Sequence, residues 1–377
     1  MDHPLPLKYR PRNLKDVIGQ DVVTTCFTNA FKNERLHHAY ILAGIKGSGK
    51  TSTARIVAAM ENCSKGPTQD PCGECDNCKA IFIGKSNDVR EMNAASNRGI
   101  DDIRALTKEI QFAGIECRTK YVIIDEAHSL TGHAAEAALK PIEEPPKNVR
   151  FILCTTALDS LIDTIRSRCI IHRFNKVHWQ PMVENLKKIA KSEGVEYEEA
   201  ALQIAARAAQ GSVRNSLRNL QMLIEAGGGG MITKELASQS LGTIDSNLAF
   251  HFIDALIQPD TTKGLKVINR LFRDGKEVGQ ISESILDHLR RLMLSVYCKH
   301  EDMTNLGFTD QDVKKYVHQA GMCGKNDEAR TMLITKLVGM MIDFQRGVSL
   351  NLDPQIMLEK YFLEAVIVKK QVDASGV

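Results

Sequence analysis

Gly44-Ile-Lys-Gly47-Ser48-Gly49-Lys50-Thr51, preceded by the apolar run Ala39-Tyr-Ile-Leu-Ala43, is the stretch whose reading decides the fold. It fits a phosphate-wrapping loop: Gly, four free positions, Gly, Lys, then Ser or Thr. Gly44, Gly47 and Gly49 let the backbone turn tightly and aim N–H groups at phosphate oxygens. Lys50 is expected to reach the β- and γ-phosphates and the Thr51 hydroxyl to hold Mg²⁺, with Ser48 and Ser52 in the same contact set. The run before the loop reads as a buried parallel strand, and Ser52 to Met60 reads as a helix. Strand, loop and helix N-terminus thus arrive in the order that turns a helix dipole toward an anion.

Tyr121-Val-Ile-Ile-Asp125-Glu126 supplies the matching acidic strand end. Open α/β sheets bind ligands at the C-terminal ends of their strands. Asp125 is expected to hold the Mg²⁺ and Glu126 to orient the attacking water. A buried strand ending in two solvated acids is the plainer alternative, disfavoured beside a phosphate loop. Phe151-Ile-Leu-Cys-Thr155-Thr156 carries hydroxyls to another strand end, and Arg168 and Arg214 follow in Ser167-Arg168-Cys169 and Gly211-Ser-Val-Arg214. Each arginine taken alone reads as a solvated surface charge.

The 377 residues suffice for two or three domains, and 43% hydrophobic with 25% charged residues is ordinary for a soluble globular chain. A net charge of +3 is too small to announce a nucleic-acid binder, so any DNA must be held by a few placed cations. No apolar signal region opens the sequence and no run approaches 18 apolar residues. The expectation is a cytoplasmic protein, not bound to membrane, whose ten cysteines are thiols or metal ligands. Cys63, Cys72, Cys75 and Cys78 lie in a turn-rich segment with Pro71 and Gly73. Four thiolates favour a tetrahedral, structural Zn²⁺; unligated cysteines or a redox pair are the alternatives.

Residues 1–178 alternate strands and helices, predicting an α/β parallel-sheet domain with an inserted zinc module at about 62–80. Strands are expected at Tyr40–Ala43, Val89–Met92, Tyr121–Ile124, Phe151–Thr155 and Ile170–Phe174. Helices are expected at Asp101–Phe112 and at Gly132–Glu144, the latter kinked or shortened by Pro141. Residues 179–242 read as a small helical lid, with Ser212 and Thr233 as N-caps and Gly227–Gly230 as a linker. Residues 243–370 read as an all-α unit with stripes such as Leu248/Phe252/Leu256 and Ile281/Ile285/Leu289/Met293, followed by a polar tail, 371–377. Such stripes are ordinarily core faces, and part of one can meet a neighbouring subunit. Arg98, ahead of a helix starting near Ile100, is the best single candidate for a DNA-phosphate contact, a solvated arginine being the alternative.

In order, these segments resemble the clamp-loader ATPases of the AAA+ class, in their gamma/tau branch from bacterial DNA polymerase III. The likeness rests on Tyr9-Arg10-Pro11, Val17-Ile18-Gly19-Gln20, His37-His38-Ala39-Tyr40, the phosphate loop and the four cysteines. It continues in Ala94-Ala95-Ser96, Asp125-Glu126-Ala127-His128, Glu143-Glu144-Pro145-Pro146, Ser167-Arg168-Cys169 and Gly211-Ser212-Val213-Arg214. The resemblance spans roughly 6–242, and only loosely the helical remainder. It implies that Tyr9–Pro11, with Arg10, and Val17–Gln20, with Ile18, pack on the adenine of ATP. It also makes Thr156 the first sensor, Arg168 an arginine finger acting on a neighbour, Arg214 the second sensor, and the last unit a collar. The implied partners are other clamp-loader subunits in a pentameric ring, a sliding clamp and primer–template DNA. Glu136 and Pro141 depart from the usual family pattern, and the sequence ends before the tail domains of longer members, as expected of a short gamma-like form, a truncated chain or a relative from a simpler replication system. The alternative is an AAA+ ATPase in DNA repair, recombination or helicase-type remodelling. Asp-Glu-Ala-His also spells a helicase box, yet no Gln-x-x-Gly-Arg motif and no second motor-domain strand set follow residue 178.

Overall fold

The computed structural model describes residues 3–96, 99–111, 114–241, 246–275, 278–306, 308, 310–349 and 352–374. Two compact units divide at Leu241/Gly242. In the first, five strands form one sheet: β1 (Ala39–Gly44), β2 (Val89–Asn93), β3 (Lys120–Asp125), β4 (Val149–Thr155) and β5 (Ile170–Phe174). The spatial order is β2-β3-β4-β1-β5 and every pairing is parallel. Each expected strand is present, lengthened by a residue or two where the ladder extends beyond the apolar run.

Strand alternation sorts the core into two layers. Tyr40, Leu42, Tyr121, Ile123, Ile152 and Cys154 pack against the Lys50–Asn62 helix. Ala39, Ile41, Val122, Ile124, Phe151 and Leu153 pack with residues of the Ile100–Glu109 and Gly132–Glu143 helices. The connection from β1 runs to β2 across one face, whereas those from β2, β3 and β4 step the other way across the opposite face. With right-handed crossovers, the chain therefore switches direction at β1, and a crevice opens above its C-terminal end.

Local chemistry set the helix ends. The Gly132–Glu143 helix is capped by the Thr131 side chain and runs through Pro141. Pro141 falls in the last turn, so the helix ends two residues later instead of breaking there. The Asp101–Phe112 expectation is corrected to Ile100–Glu109; Phe112 lies outside the described residues. The cysteine segment extends past 80, because the Asp76–Ile83 helix closes only at Gly84, whose φ of 73° suits glycine.

Four helices follow in the same unit: Trp179–Ser192, Glu199–Ala208, Val213–Ala226 and Lys234–Ser240. Ser212 and Thr233 cap the last two through their side chains. One isolated parallel bridge, Tyr197 to Ile232, interrupts the otherwise strand-free stretch. The core of this bundle contains Leu186, Leu202, Leu220 and Leu223, and also Leu5 from the start of the chain.

The second unit is all helical: Ser246–Ile257, Thr261–Arg273, Val278–Tyr297, His300–Asn305, Asp310–Cys323, Asp327–Ser349 and Pro354–Ala374. The stripes of Leu248, Phe252 and Leu256 and of Ile281, Ile285 and Leu289 are buried in its core. At Gly264 an added Cβ would fall 1.9 Å from the Phe362 ring, so glycine sets how closely two helices cross. The polar tail expected from 371 is corrected: the last helix continues to Ala374, and Val372 is buried. Among the described residues no helix is long and apolar enough to cross a membrane.

Candidate nucleotide and metal sites

The crevice above β1 is a cavity of about 570 Å³. The phosphate loop lines it with Lys46, Gly47, Ser48, Gly49, Lys50, Thr51 and Ser52; the strand ends add Asp125, Glu126 and Thr156; the N-terminal segment adds Tyr9, Arg10, Val17 and Ile18; the lid adds Arg214. Gly44 does not line it. Its carbonyl lies beneath the loop and accepts from Lys50 Nζ at 2.7 Å, as the Ile45 carbonyl does at 2.9 Å. One of the three ammonium protons is left for another acceptor.

Gly47 and Gly49 have φ of 81° and 107°, so the turn into the helix needs glycine twice. Gly47 has a second task that spacing alone did not reveal. A Cβ there would sit 2.3 Å from Ser212 Oγ and 2.8 Å from Arg214 Cβ. The Arg214 amide donates to the Gly47 carbonyl at 3.3 Å, so the lid rests directly on the loop.

The acidic edge is wired to hydroxyls. Thr51 Oγ1 donates to Asp125 Oδ2 at 3.0 Å, and Thr156 Oγ1 donates to Glu126 Oε2 at 3.2 Å. Glu126 holds φ 51° and ψ 43°, a left-handed conformation that costs a non-glycine residue about 1–2 kcal/mol. That turn brings its carboxylate beside Thr156. His128 lines the cleft as well, with Nδ1 3.0 Å from Thr155 Oγ1. Asn93 and Asn185 also line it; neither carried a sequence signal as a site residue, whereas His128 stood in the Asp-Glu-Ala-His motif without an assigned role.

Cations are in excess at the loop end. Arg10 donates to Ser52 Oγ at 3.2 Å, and burial, then the positive charges of Arg55 and Arg214, bring it down to about 10. Burial likewise lowers Lys50. Buried cations pushed toward neutrality are stabilised by an anion, so the cradle fits a polyphosphate. Thr51 and Asp125, already in contact, form the oxygen pair that a hard divalent cation takes.

Other expected residues lie elsewhere. Arg168 does not line its own chain's cleft; Nε and Nη2 pair with Glu143 at 3.0 and 3.1 Å, and Nη1 bonds the Thr164 carbonyl. Arg98 lies outside the described residues. Gly19 and Gln20 anchor the N-terminal segment beside the cleft instead of lining it: the Gln20 amide exchanges two hydrogen bonds with the Asn175 backbone. Tyr9 donates its hydroxyl to Glu193 of the lid.

At the far end of the Lys50–Asn62 helix, Cys63, Cys72, Cys75 and Cys78 bring their sulfurs within 4.8 Å of one another. The Cys63 and Cys72 sulfurs are 3.6 Å apart, against about 3.8 Å for the edge of a tetrahedron with ~2.3 Å zinc–sulfur bonds. Burial alone would raise the Cys75 thiol, but hydrogen bonds from Ser64 and Cys78 bring it down to about 6. The donor set and spacing fit a metal ion.

Residues 19–178 match the family model described as DNA polymerase III, delta subunit, and residues 182–229 match that of the DNA polymerase III clamp loader subunit, ATPase lid domain. The DNA polymerase III subunit gamma of Buchnera aphidicola from Acyrthosiphon pisum is 34% identical over 291 residues, 77% of this chain and 80% of that protein. The chain belongs to the gamma/tau family of DNA polymerase III subunits. Within that family, subunit tau of Escherichia coli K12 is 37% identical over 290 residues, 77% of this chain and 45% of that protein. The chain thus spans less than half the length of that gamma/tau relative. Among solved structures, the Holliday junction branch migration motor RuvB of Thermotoga maritima overlaps at a TM-score of 0.49 and 19% identity, covering 66% of this chain and 79% of that one. That likeness adds nothing to the gamma/tau assignment.

Proposed function

We propose that this chain is an ATP-hydrolysing subunit of a DNA polymerase III clamp loader, opening a ring-shaped sliding clamp and loading it onto primer–template DNA. The observation that carries the reading is the single cleft where a glycine loop, the Thr51–Asp125 pair, the Glu126–Thr156 pair and the lid's Arg214 converge. Membership of the gamma/tau family supplies the clamp-loader context.

Loop N–H groups, Lys50 and Arg214 bind and neutralise the phosphates, while Tyr9, Val17 and Ile18 pack on the adenine; Arg10, expected on the adenine, reaches Ser52 of the loop and so joins the phosphate set. Glu126, held by the Thr156 hydroxyl, orients a water toward the γ-phosphoryl group. Thr51 and Asp125 would hold a Mg²⁺ ion, which would supply charge stabilisation for the transferring phosphoryl group. Arg168 acts from a neighbouring subunit in a pentameric ring, and Arg98 contacts a DNA phosphate. The cysteine cluster holds a structural Zn²⁺.

ATPase turnover is measured with primed DNA, with a sliding clamp, with both and with neither. Stimulation that requires both supports the loader; stimulation by DNA alone, or unwinding, replaces it with a remodelling role. Arg168→Ala is expected to cost roughly 10³-fold or more in turnover in the assembled ring only. An equal loss in isolated chains means that Arg168 acts within its own subunit.

A further inference from the structure

Arg55 lies one helical turn after Thr51 on the Lys50–Asn62 helix, so the two side chains leave the same face. Thr51 reaches Asp125 at the end of β3. Arg55 reaches Glu91 on β2, with Nε at 2.7 Å and Nη2 at 2.6 Å from one carboxylate oxygen. Glu91 is paired in register with Ile123, two residues before Asp125. The two contacts are therefore adjacent rungs between one helix and neighbouring strands.

The remaining arm of Arg55 points the other way. Nη1 donates to the Phe82 carbonyl at 2.6 Å, near the end of the Asp76–Ile83 helix. That short helix starts from Cys75 as its cap and contains Cys78. Glycine is required for the approach: a Cβ on Gly84, at φ +73°, would stand 2.8 Å from Nη2. The cysteine module thus grips the phosphate-loop helix twice, at Cys63 on its C-terminal end and through Arg55 near the end that carries Lys50 and Thr51. Arg55 lines neither the cleft nor the sulfur cluster, and the proposed reaction does not use it.

We infer that Arg55 is a positioning residue that couples metal occupancy of the cysteine module to nucleotide affinity of the cleft. The inference rests on the nucleotide reading of that cleft. A metal on Cys75 and Cys78 fixes the short helix and with it the Phe82 carbonyl. Arg55 then has two fixed partners and holds the first turns of the phosphate-loop helix against β2. Without the metal, the short helix is released and Arg55 keeps only Glu91, so the spacing of Thr51 from Asp125 is no longer enforced. Coupling between two binding events is reciprocal, so nucleotide must strengthen metal retention by the factor by which metal strengthens nucleotide binding.

The test uses the full chain loaded with zinc. A chelating dye reports zinc affinity with and without a non-hydrolysable ATP analogue plus Mg²⁺, and a fluorescent version of the analogue reports nucleotide binding. In the unsubstituted chain the analogue is expected to tighten zinc retention by about 5- to 150-fold, the usual range of such couplings. Arg55→Met removes the tightening. Arg55→Lys keeps a charge for Glu91 but cannot span to Phe82 as well, and it also loses the tightening; it carries the test if the methionine variant does not fold. A purely structural arginine would change zinc affinity equally with and without nucleotide. The same tightening in Arg55→Lys as in the unsubstituted chain overturns the inference, as does zinc retention indifferent to bound analogue. A zinc-loaded chain that binds no analogue overturns the nucleotide reading and the coupling with it.

Discussion

One helix, Lys50–Asn62, carries groups suited to opposite charges at its two ends. Its N-terminus offers backbone N–H groups, a glycine turn and cations without enough carboxylates, which suits an anion. Its C-terminus is capped by Cys63 and surrounded by three more sulfurs, which suits a cation. The dipole favours both choices. The difference lies in what makes each end specific: at the anion end it is backbone conformation, at the cation end side-chain chemistry. Substitutions should therefore act differently at the two ends, by geometry at one and by ligand identity at the other.

The largest expected effect tests ligand identity. Cys63→Ser should reduce bound zinc from one ion per chain to none, whereas Cys26→Ser, at an exposed cysteine outside the cluster, should leave one. Metal analysis of the purified variants checks both, and a full complement in Cys63→Ser would remove the cation end from the comparison. Next is Lys50→Ala, which deletes a buried ammonium from the loop. One charge-assisted hydrogen bond from the proton not held by the Gly44 and Ile45 carbonyls, at about 1.5–3 kcal/mol, implies roughly 10- to 10²-fold weaker ATP binding by calorimetry. Unchanged affinity would discredit the anion end.

A pH titration supplies a contrast from the second unit. His288 is buried, bonds Gln319 at 2.6 Å and has Asp254, Asp287 and Arg291 as charged neighbours; burial lowers it from 6.5 to about 4. The unfolded chain binds this proton more readily than the folded one. Its stabilising contribution is thus complete above pH 6.5 and falls as the pH drops toward 4, by roughly 3 kcal/mol in all. Melting followed from pH 7 to 4 should show that slope, flattened in His288→Gln, with zinc and ATP sites unaffected in the variant at pH 7. Smallest is Gly47→Ala, where a left-handed turn and the approach of Ser212 meet an added Cβ. About 1–2 kcal/mol of strain predicts roughly tenfold weaker ATP binding with normal zinc content, a purely geometric lesion. Loss of zinc as well would mean that the two ends do not separate.

Much of the site was legible because its chemistry is local in sequence. The phosphate loop, the strand that delivers Asp125 and Glu126, and the closely spaced cysteines each occupy one short segment, and parallel strands announce themselves as apolar runs. What was not legible depends on distant segments meeting. No spacing rule states that Gly47 must be bare because Ser212 and Arg214 press on it, or that Arg168 is paired with Glu143. Nor does any rule show that Arg55 finds Phe82 and Glu91 from a helix on which it reads as one more charged residue. The polar ending expected from residue 371 failed for a related reason: the helix that buries Val372 continues to Ala374.

The sequence by itself determined which groups exist to hold ions and the order in which strands, loop and helices present them, because hydrogen-bonding capacity, charge and backbone freedom belong to individual residues. Only the tertiary structure decided which of those groups face one another. Burial, close approach and the pairing of Arg55 with two separate elements are properties of packed surfaces, and packing joins residues that the chain keeps far apart.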